Sequence, residues 1–201
     1  MNKILVMIYD GFSMYEISAL TSIFAWSPLS NWKIDVVAAK RKIYQTEDGF
    51  AVMPQRTFDE VDNIQEYKML ILPGIADYHV VLPDKRNIEF LKRFKIRSRP
   101  IIAATSASPI LLAKAGLLED THFTAGLFES AYVENSFIPK KNLLRKPVVS
   151  DNGIVTSSAY FVREFAIVAA HELGINVPDN FFEPLGMDTT EESLVFHDSN
   201  H

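Results

Sequence analysis

The sequence predicts an α/β protein, a three-layer sandwich in which a flavodoxin-like, mostly parallel sheet carries helices on both faces. Three observations lead there. Runs such as Lys3–Tyr9, Met69–Leu72 and Ile101–Ala104 are apolar on both sides, as in strands covered by helices above and below. They alternate with segments of helical periodicity, which implies parallel pairing through right-handed crossovers. The runs end in turn-forming or small residues, Asp10-Gly11, Pro73-Gly74 and Thr105 to Ser108. These fall at the carboxyl edge of the sheet, where open parallel sheets bind ligands.

Lys3–Tyr9 is the first buried strand, followed by a helix through Tyr15, Glu16, Leu20, Ile23 and Phe24. Ser13 and Glu16 stand at capping-box spacing, so the helix start offers Glu16 a local role. Its other reading is a carboxyl group held at the strand ends. Trp32–Ala39 is a second strand, and Asp48-Gly49 between two short apolar runs signals a hairpin. Phe58, Val61 and Ile64 suggest a short helix before the strand Met69–Leu72. After Asp84, a helix shows Ile88, Leu91 and Phe94 on one face and basic residues on the other.

The central element is Ile101–Ala104 followed by Thr105, Ser106, Ala107, Ser108 and Pro109. Proline suits the first turn of a helix, and Gly116 suits its left-handed end. Strand, sharp turn and helix make a nucleophile elbow, with Ser106 exposed at the bend. The plainer role for Thr105, Ser106 or Ser108 is helix capping. Beyond it, Thr121–Ala125 is a short strand candidate, residues 129–137 contain a short helix, and Lys140, Lys141, Arg145 and Lys146 form a basic loop. Two strands meet at Asp151-Asn152-Gly153. Ser157 or Ser158 is the expected cap of the last long helix, which ends at Gly174. Residues 1–175 form the expected domain. The tail, 176–201, contains Phe181, Phe182, Leu185 and Met187, and is expected to pack on the domain or on a partner subunit, with a short helix near 190–196.

Composition narrows the chemistry. With 25 acidic and 20 basic residues in 201, and the basic ones scattered, nothing favours nucleic acid. The absence of cysteine removes disulfides, thiolate metal sites and a catalytic thiol. No phosphate-binding glycine fingerprint is present and no metal or cofactor is expected. No apolar run approaches the roughly 20 residues of a membrane span, which gives a cytoplasmic expectation without membrane partners.

Tyr9-Asp-Gly-Phe12 with Glu16, Ile71-Leu-Pro-Gly74, Leu111–Leu118 after the elbow, and Asp151–Ser157 before the last helix together resemble the ThiJ/PfpI superfamily of the class I glutamine amidotransferase-like fold. The resemblance runs from Lys3 to Gly174. It implies that the elbow residue is a nucleophile hydrogen-bonded by the acid of the first helix. Backbone N–H groups of the elbow and of the Pro-Gly loop would then form an oxyanion site. By position these are Ser106, Glu16, and Ala107 with Gly74 and Ile75. The chain departs from the pattern where Ser106 replaces cysteine, Ile75 and Ser108 replace glycines, and Gly126 stands in place of a histidine.

A serine hydroxyl needs an adjacent base where a cysteine at such a bend ionises near neutral pH. Glu16 suits that task only if burial raises its pKa, and His79 is the other base placed by sequence near the strand ends. The expectation is therefore a non-catalytic or cryptically active protein that binds a small carbonyl- or carboxylate-bearing metabolite at the elbow. A hydrolase, amidase-like enzyme, hydratase or lyase using Ser106 and Glu16 is one alternative. A ligand-sensing or interaction module is another; the resemblance also implies a homodimer.

Overall fold

A computed structural model describes residues 1–26, 31–178, 180–184, 186, 188–190, 192 and 195. Leu185 and Met187, and most of the helix expected near 190–196, lie outside the described residues. The strands are β1 (Asn2–Met7), β2 (Trp32–Ala38), β3 (Tyr44–Gln45), β4 (Ala51–Val52), β5 (Arg56–Thr57), β6 (Tyr67–Leu72), β7 (Ile101–Thr105), β8 (Val148–Asp151) and β9 (Ile154–Ser157). The helices are α1 (Tyr15–Trp26), α2 (Tyr78–Val81), α3 (Lys85–Lys92), α4 (Pro109–Lys114), α5 (Glu129–Glu134) and α6 (Val162–Glu172).

Seven strands form one sheet in the order β5-β2-β1-β6-β7-β9-β8, parallel throughout except for β8, which runs antiparallel to β9. Val6, Ile71, Ala103 and Val155 lie in one row across its centre, each paired with the next. All four are buried, as strands with helices on both faces require. Helices α1 and α6 pack against each other, as do α3 and α4, giving the two outer layers. Small residues in β7, Ala103 and Ala104, let the helices approach the middle of the sheet, while Leu70, Leu72, Leu111, Phe94 and Phe165 fill the layers around it.

Asp35 is a buried charge on β2, 1 % exposed. It accepts a hydrogen bond from Tyr67 Oη at 3.1 Å and pairs with Lys33 Nζ at 2.7 Å. Burial pushes its carboxyl up, but Lys33 and Tyr67 overcome that and hold it below the usual range. Its own burial, helped by the same contact, pushes Tyr67 up to about 12.

The hairpin signalled by Asp48-Gly49 is β3–β4, a small sheet separate from the main one. The segment around Phe58, Val61 and Ile64 forms two single 3-10 turns rather than one helix, because Val61 leaves the helical region and accepts from Arg93. Thr121–Ala125 makes only one bridge, Phe123 with Leu143, while Thr124 N–H donates to Thr156 Oγ1 at 2.9 Å. Neither Ser157 nor Ser158 caps α6, whose first position follows Phe161. Ser157 is instead the last residue of β9 and its hydroxyl donates to Thr105 Oγ1 at 2.9 Å. In the tail, Val177 is buried and Phe181 packs against the core, its carbonyl accepting from Arg163 Nε at 2.7 Å. Among the described residues no helix is long and apolar enough to cross a membrane.

Candidate functional site at the elbow

β7 ends at Thr105 and the chain reverses in a single residue. Ser106 has φ 57°, a left-handed conformation that costs a non-glycine residue about 1–2 kcal/mol. Its backbone is clamped on both sides: its N–H donates to Ser157 O at 2.9 Å, and its carbonyl accepts from Gly126 N–H at 2.7 Å. These bonds hold the bend through the backbone alone. Capping does not explain Ser106. The position preceding α4 is Ser108, and its hydroxyl donates back to Thr105 O at 2.8 Å, with Leu72 O 3.1 Å away.

Glu16 does not serve its own helix. The first N–H groups of α1 are capped from the β3–β4 turn, where Asp48 Oδ2 accepts from Met14 N at 2.7 Å and from Tyr15 N at 3.4 Å. The capping box expected of Ser13 and Glu16 is therefore not formed, and Ser13 Oγ is buried without a partner among the described residues. The turn is fastened to the β1–α1 loop by Gly11 N–H to Gln45 O at 2.8 Å and Glu47 N–H to Phe12 O at 3.0 Å. With the cap supplied from elsewhere, the Glu16 side chain reaches the carboxyl edge of the sheet.

There it meets Gly74 and Ser106. A Cβ placed on Gly74 would fall 1.7 Å from Glu16 Oε2 and 2.8 Å from Ser106 Cβ, so both side chains close over the glycine's bare Cα. Any other residue at position 74 would displace one of them. Glu16 is 7 % exposed, and Oε2 has no hydrogen-bond partner among the described residues. Burial raises its pKa from 4.5 to about 7; the Ser106 hydroxyl opposes it, the charge of Glu47 assists, and the Gly74 backbone and Asp48 add smaller effects of opposite sign. Near neutral pH this carboxyl is thus divided between an acid that donates and a base that accepts.

Gly74 and Ile75 are held by a bridge between Phe12 and Ile75. Its hydrogen bonds are Ser13 N–H to Gly74 O at 3.1 Å and Ala76 N–H to Gly11 O at 3.0 Å, which leaves the N–H of Ile75 itself outside the bridge. Ala107 lies between two committed donors, since Ser106 and Ser108 N–H bond to Ser157 O and Thr105 O. Beneath the loop, Tyr9 Oη donates to Pro73 O and fixes the turn from below. Burial, more than the nearby Glu16 charge, keeps the Tyr9 phenol well above its ordinary pKa and therefore neutral.

His79 is drawn elsewhere. Its Nδ1 lies 2.8 Å from Asp77 Oδ1 and its Nε2 3.7 Å from Glu134 Oε2, on an exposed surface between α2 and α5. Gly126 lies against the elbow, where a Cβ would come 3.2 Å from Ser106 Cα and 3.5 Å from Ser106 Oγ. The missing histidine of the sequence pattern thus corresponds to space that the Ser106 backbone occupies closely. The site's unforeseen members are Asp48, Glu47, Tyr9 and Ser13. Only the hairpin signal at Asp48-Gly49 hinted at the first two, and it did not say where the turn would dock. Among the described residues no cluster of side chains is arranged to hold a metal ion.

Comparison with known proteins agrees with this architecture. A DJ-1 superfamily protein from Agrobacterium tumefaciens superposes with a TM-score of 0.76 at 23 % identity, covering 91 % of this chain and 95 % of that one. A ThiJ/PfpI family protein from Bacillus anthracis gives 0.75 at 21 % identity, covering 90 % and 87 %. These likenesses show the fold. A curated relative from Archaeoglobus fulgidus, described as uncharacterized, is 25 % identical over 126 residues, 62 % of this chain and 71 % of its own. The sequence model of the DJ-1/PfpI family matches residues 2–170, and with the elbow after β7 and its acid on α1 the chain belongs to that family, as a member with no cysteine.

Proposed function

We propose that the protein binds a small carbonyl-bearing metabolite at the elbow, with protonated Glu16 donating to the carbonyl oxygen and the N–H groups of Ile75 and Ala107 as its further donors. The observation that carries this reading is the unpartnered Oε2 of a buried Glu16 beside Ser106. A buried polar atom without a partner costs about 1–3 kcal/mol, which a ligand's hydrogen bond offsets. A neutral carbonyl fits better than a carboxylate, because Glu47 and Asp48 already place negative charge near Glu16. Ser106 is then a contact rather than a nucleophile, since among the described residues no imidazole is hydrogen-bonded to it to take its proton.

The test is ligand-observed NMR with hydroxyacetone as the neutral probe and pyruvate as the charged one, from pH 5 to 9. The expected result is hydroxyacetone binding that weakens as pH rises through about 7, and binding to the Glu16→Gln variant that does not change with pH. Absence of binding, or the same pH dependence in the variant, overturns the reading.

The pKa of Glu16 favours a second reading, a hydratase or lyase in which Glu16 moves a proton to or from a bound water. Such a group typically contributes about 10²–10⁴ in rate. Here Glu16→Gln abolishes turnover while Ser106→Ala retains it; loss of turnover in both variants would instead indicate a Ser106 hydrolase with Glu16 as its base.

A further inference from the structure

At the opposite, amino-terminal edge of the sheet, a cavity of about 490 Å³ opens between the segment leading into β7, the turn after α4 and the β8–β9 hairpin. Lys95, Arg97 and Arg99 line it together with Glu119, Asp120 and Asn152. Arg99 is the unusual member. Its Nη2 donates to Asn152 O, but its Nε is buried and has no hydrogen-bond partner among the described residues. No carboxylate pairs with its guanidinium in any described ion pair, and burial alone acts on it, pushing its pKa down from an ordinary value so high that it stays charged. Lys95 is only loosely paired, its Nζ 4.0 Å from Glu119, and Arg97 makes no described ion pair.

A half-buried guanidinium without a counter-charge is costly unless something supplies one. Arg99 lines the cavity with a planar fork of donors, a geometry suited to two oxygens of one oxyanion. Two more cations at the same opening outnumber, with Arg99, the carboxylates of Glu119 and Asp120 and leave the lining net positive, which favours an anionic group. The cavity is within the size range of small-molecule sites and larger than a bare oxyanion requires. Glu119 and Asp120 add acceptors suited to hydroxyl groups.

We propose that this cavity binds a small phosphorylated, hydroxyl-bearing metabolite, with the phosphate on Arg99 and the rim cations Arg97 and Lys95. The site lies at the far edge of the sheet from Ser106 and stands independently of any chemistry at the elbow.

Calorimetric titration of the full chain with glycerol 3-phosphate, inorganic phosphate and chloride at matched ionic strength tests this. The expected result is that the ester binds more tightly than inorganic phosphate and that chloride produces no signal. Arg99→Lys, which keeps the charge but loses the fork, is expected to weaken both phosphates about tenfold, equivalent to about 1.4 kcal/mol. Arg97→Ala weakens them severalfold, and Lys140→Ala, in a different basic loop, leaves them unchanged. Should Arg99→Lys fail to fold, Arg97→Ala decides. No binding beyond that of chloride, or affinities within twofold of the parent in the cavity variants, overturns the site. Inorganic phosphate binding with the ester excluded overturns the assignment to a phosphorylated metabolite.

Discussion

Ser106 is held left-handed by its backbone partners, not by its side chain, so the bend tolerates a change of the atom at its tip. Ser106→Cys is therefore expected to fold as the parent does and to present a thiol titrating below the free-cysteine value of about 8.5. Protonated Glu16 and the backbone donors at the start of α4 would stabilise the thiolate. The pH dependence of iodoacetamide alkylation measures it, and an ordinary thiol pKa would show that the elbow does not create the environment inferred from its geometry. The identity of Ser106 as the bend residue was legible in the sequence: an all-apolar strand, four small residues and a proline leave no other place for a sharp turn. Its relation to His79 was not, because Asp77, two residues away, captures the imidazole.

Among the elements, α1 depends on a turn more than 30 residues later in the chain. Asp48→Ala is expected to cost about 1 kcal/mol through loss of the cap, measured by denaturant unfolding. Asp48→Asn separates cap from charge: the amide oxygen still accepts from Met14 and Tyr15, while removal of the negative charge lowers the pKa of Glu16 below about 7. An NMR titration of the Glu16 carboxyl reads that shift, and an unchanged value would mean that the Asp48 charge plays no part in it. The sequence showed a capping box at Ser13 and Glu16 because spacing is all that local pattern records. The competing cap comes from tertiary docking, and it is what frees Glu16 for the site. In the same way β9 absorbs Ser157 into its pairing with Thr105, so a residue that reads as a cap becomes part of the sheet. The strands, by contrast, were readable almost throughout, since burial on both faces leaves no polar alternation to misread.

For the whole molecule, Glu16 makes stability depend on pH. Its folded pKa lies above its ordinary value, so the stabilisation is complete below about 4.5 and is lost as pH rises through about 7. The gap between the two values corresponds to roughly 3 kcal/mol. Relative to the parent, Glu16→Gln is expected to gain about that much in unfolding free energy between pH 4 and pH 9, and a constant difference across the range would refute the buried, proton-binding carboxyl. Asp35 works in the opposite direction, its contribution falling away as the solution becomes acidic, and comparison with the glutamine variant cancels it. The β3–β4 turn gives this behaviour a mechanical side. Because its acidic residues help to keep a proton on Glu16, lifting the hairpin from the first loop would at once uncap α1 and let that proton go. Attachment of this small sheet is thus a proton-uptake step, and its opening rate, read by amide exchange at Met14 and Tyr15, should rise with alkalinity faster than exchange chemistry alone allows.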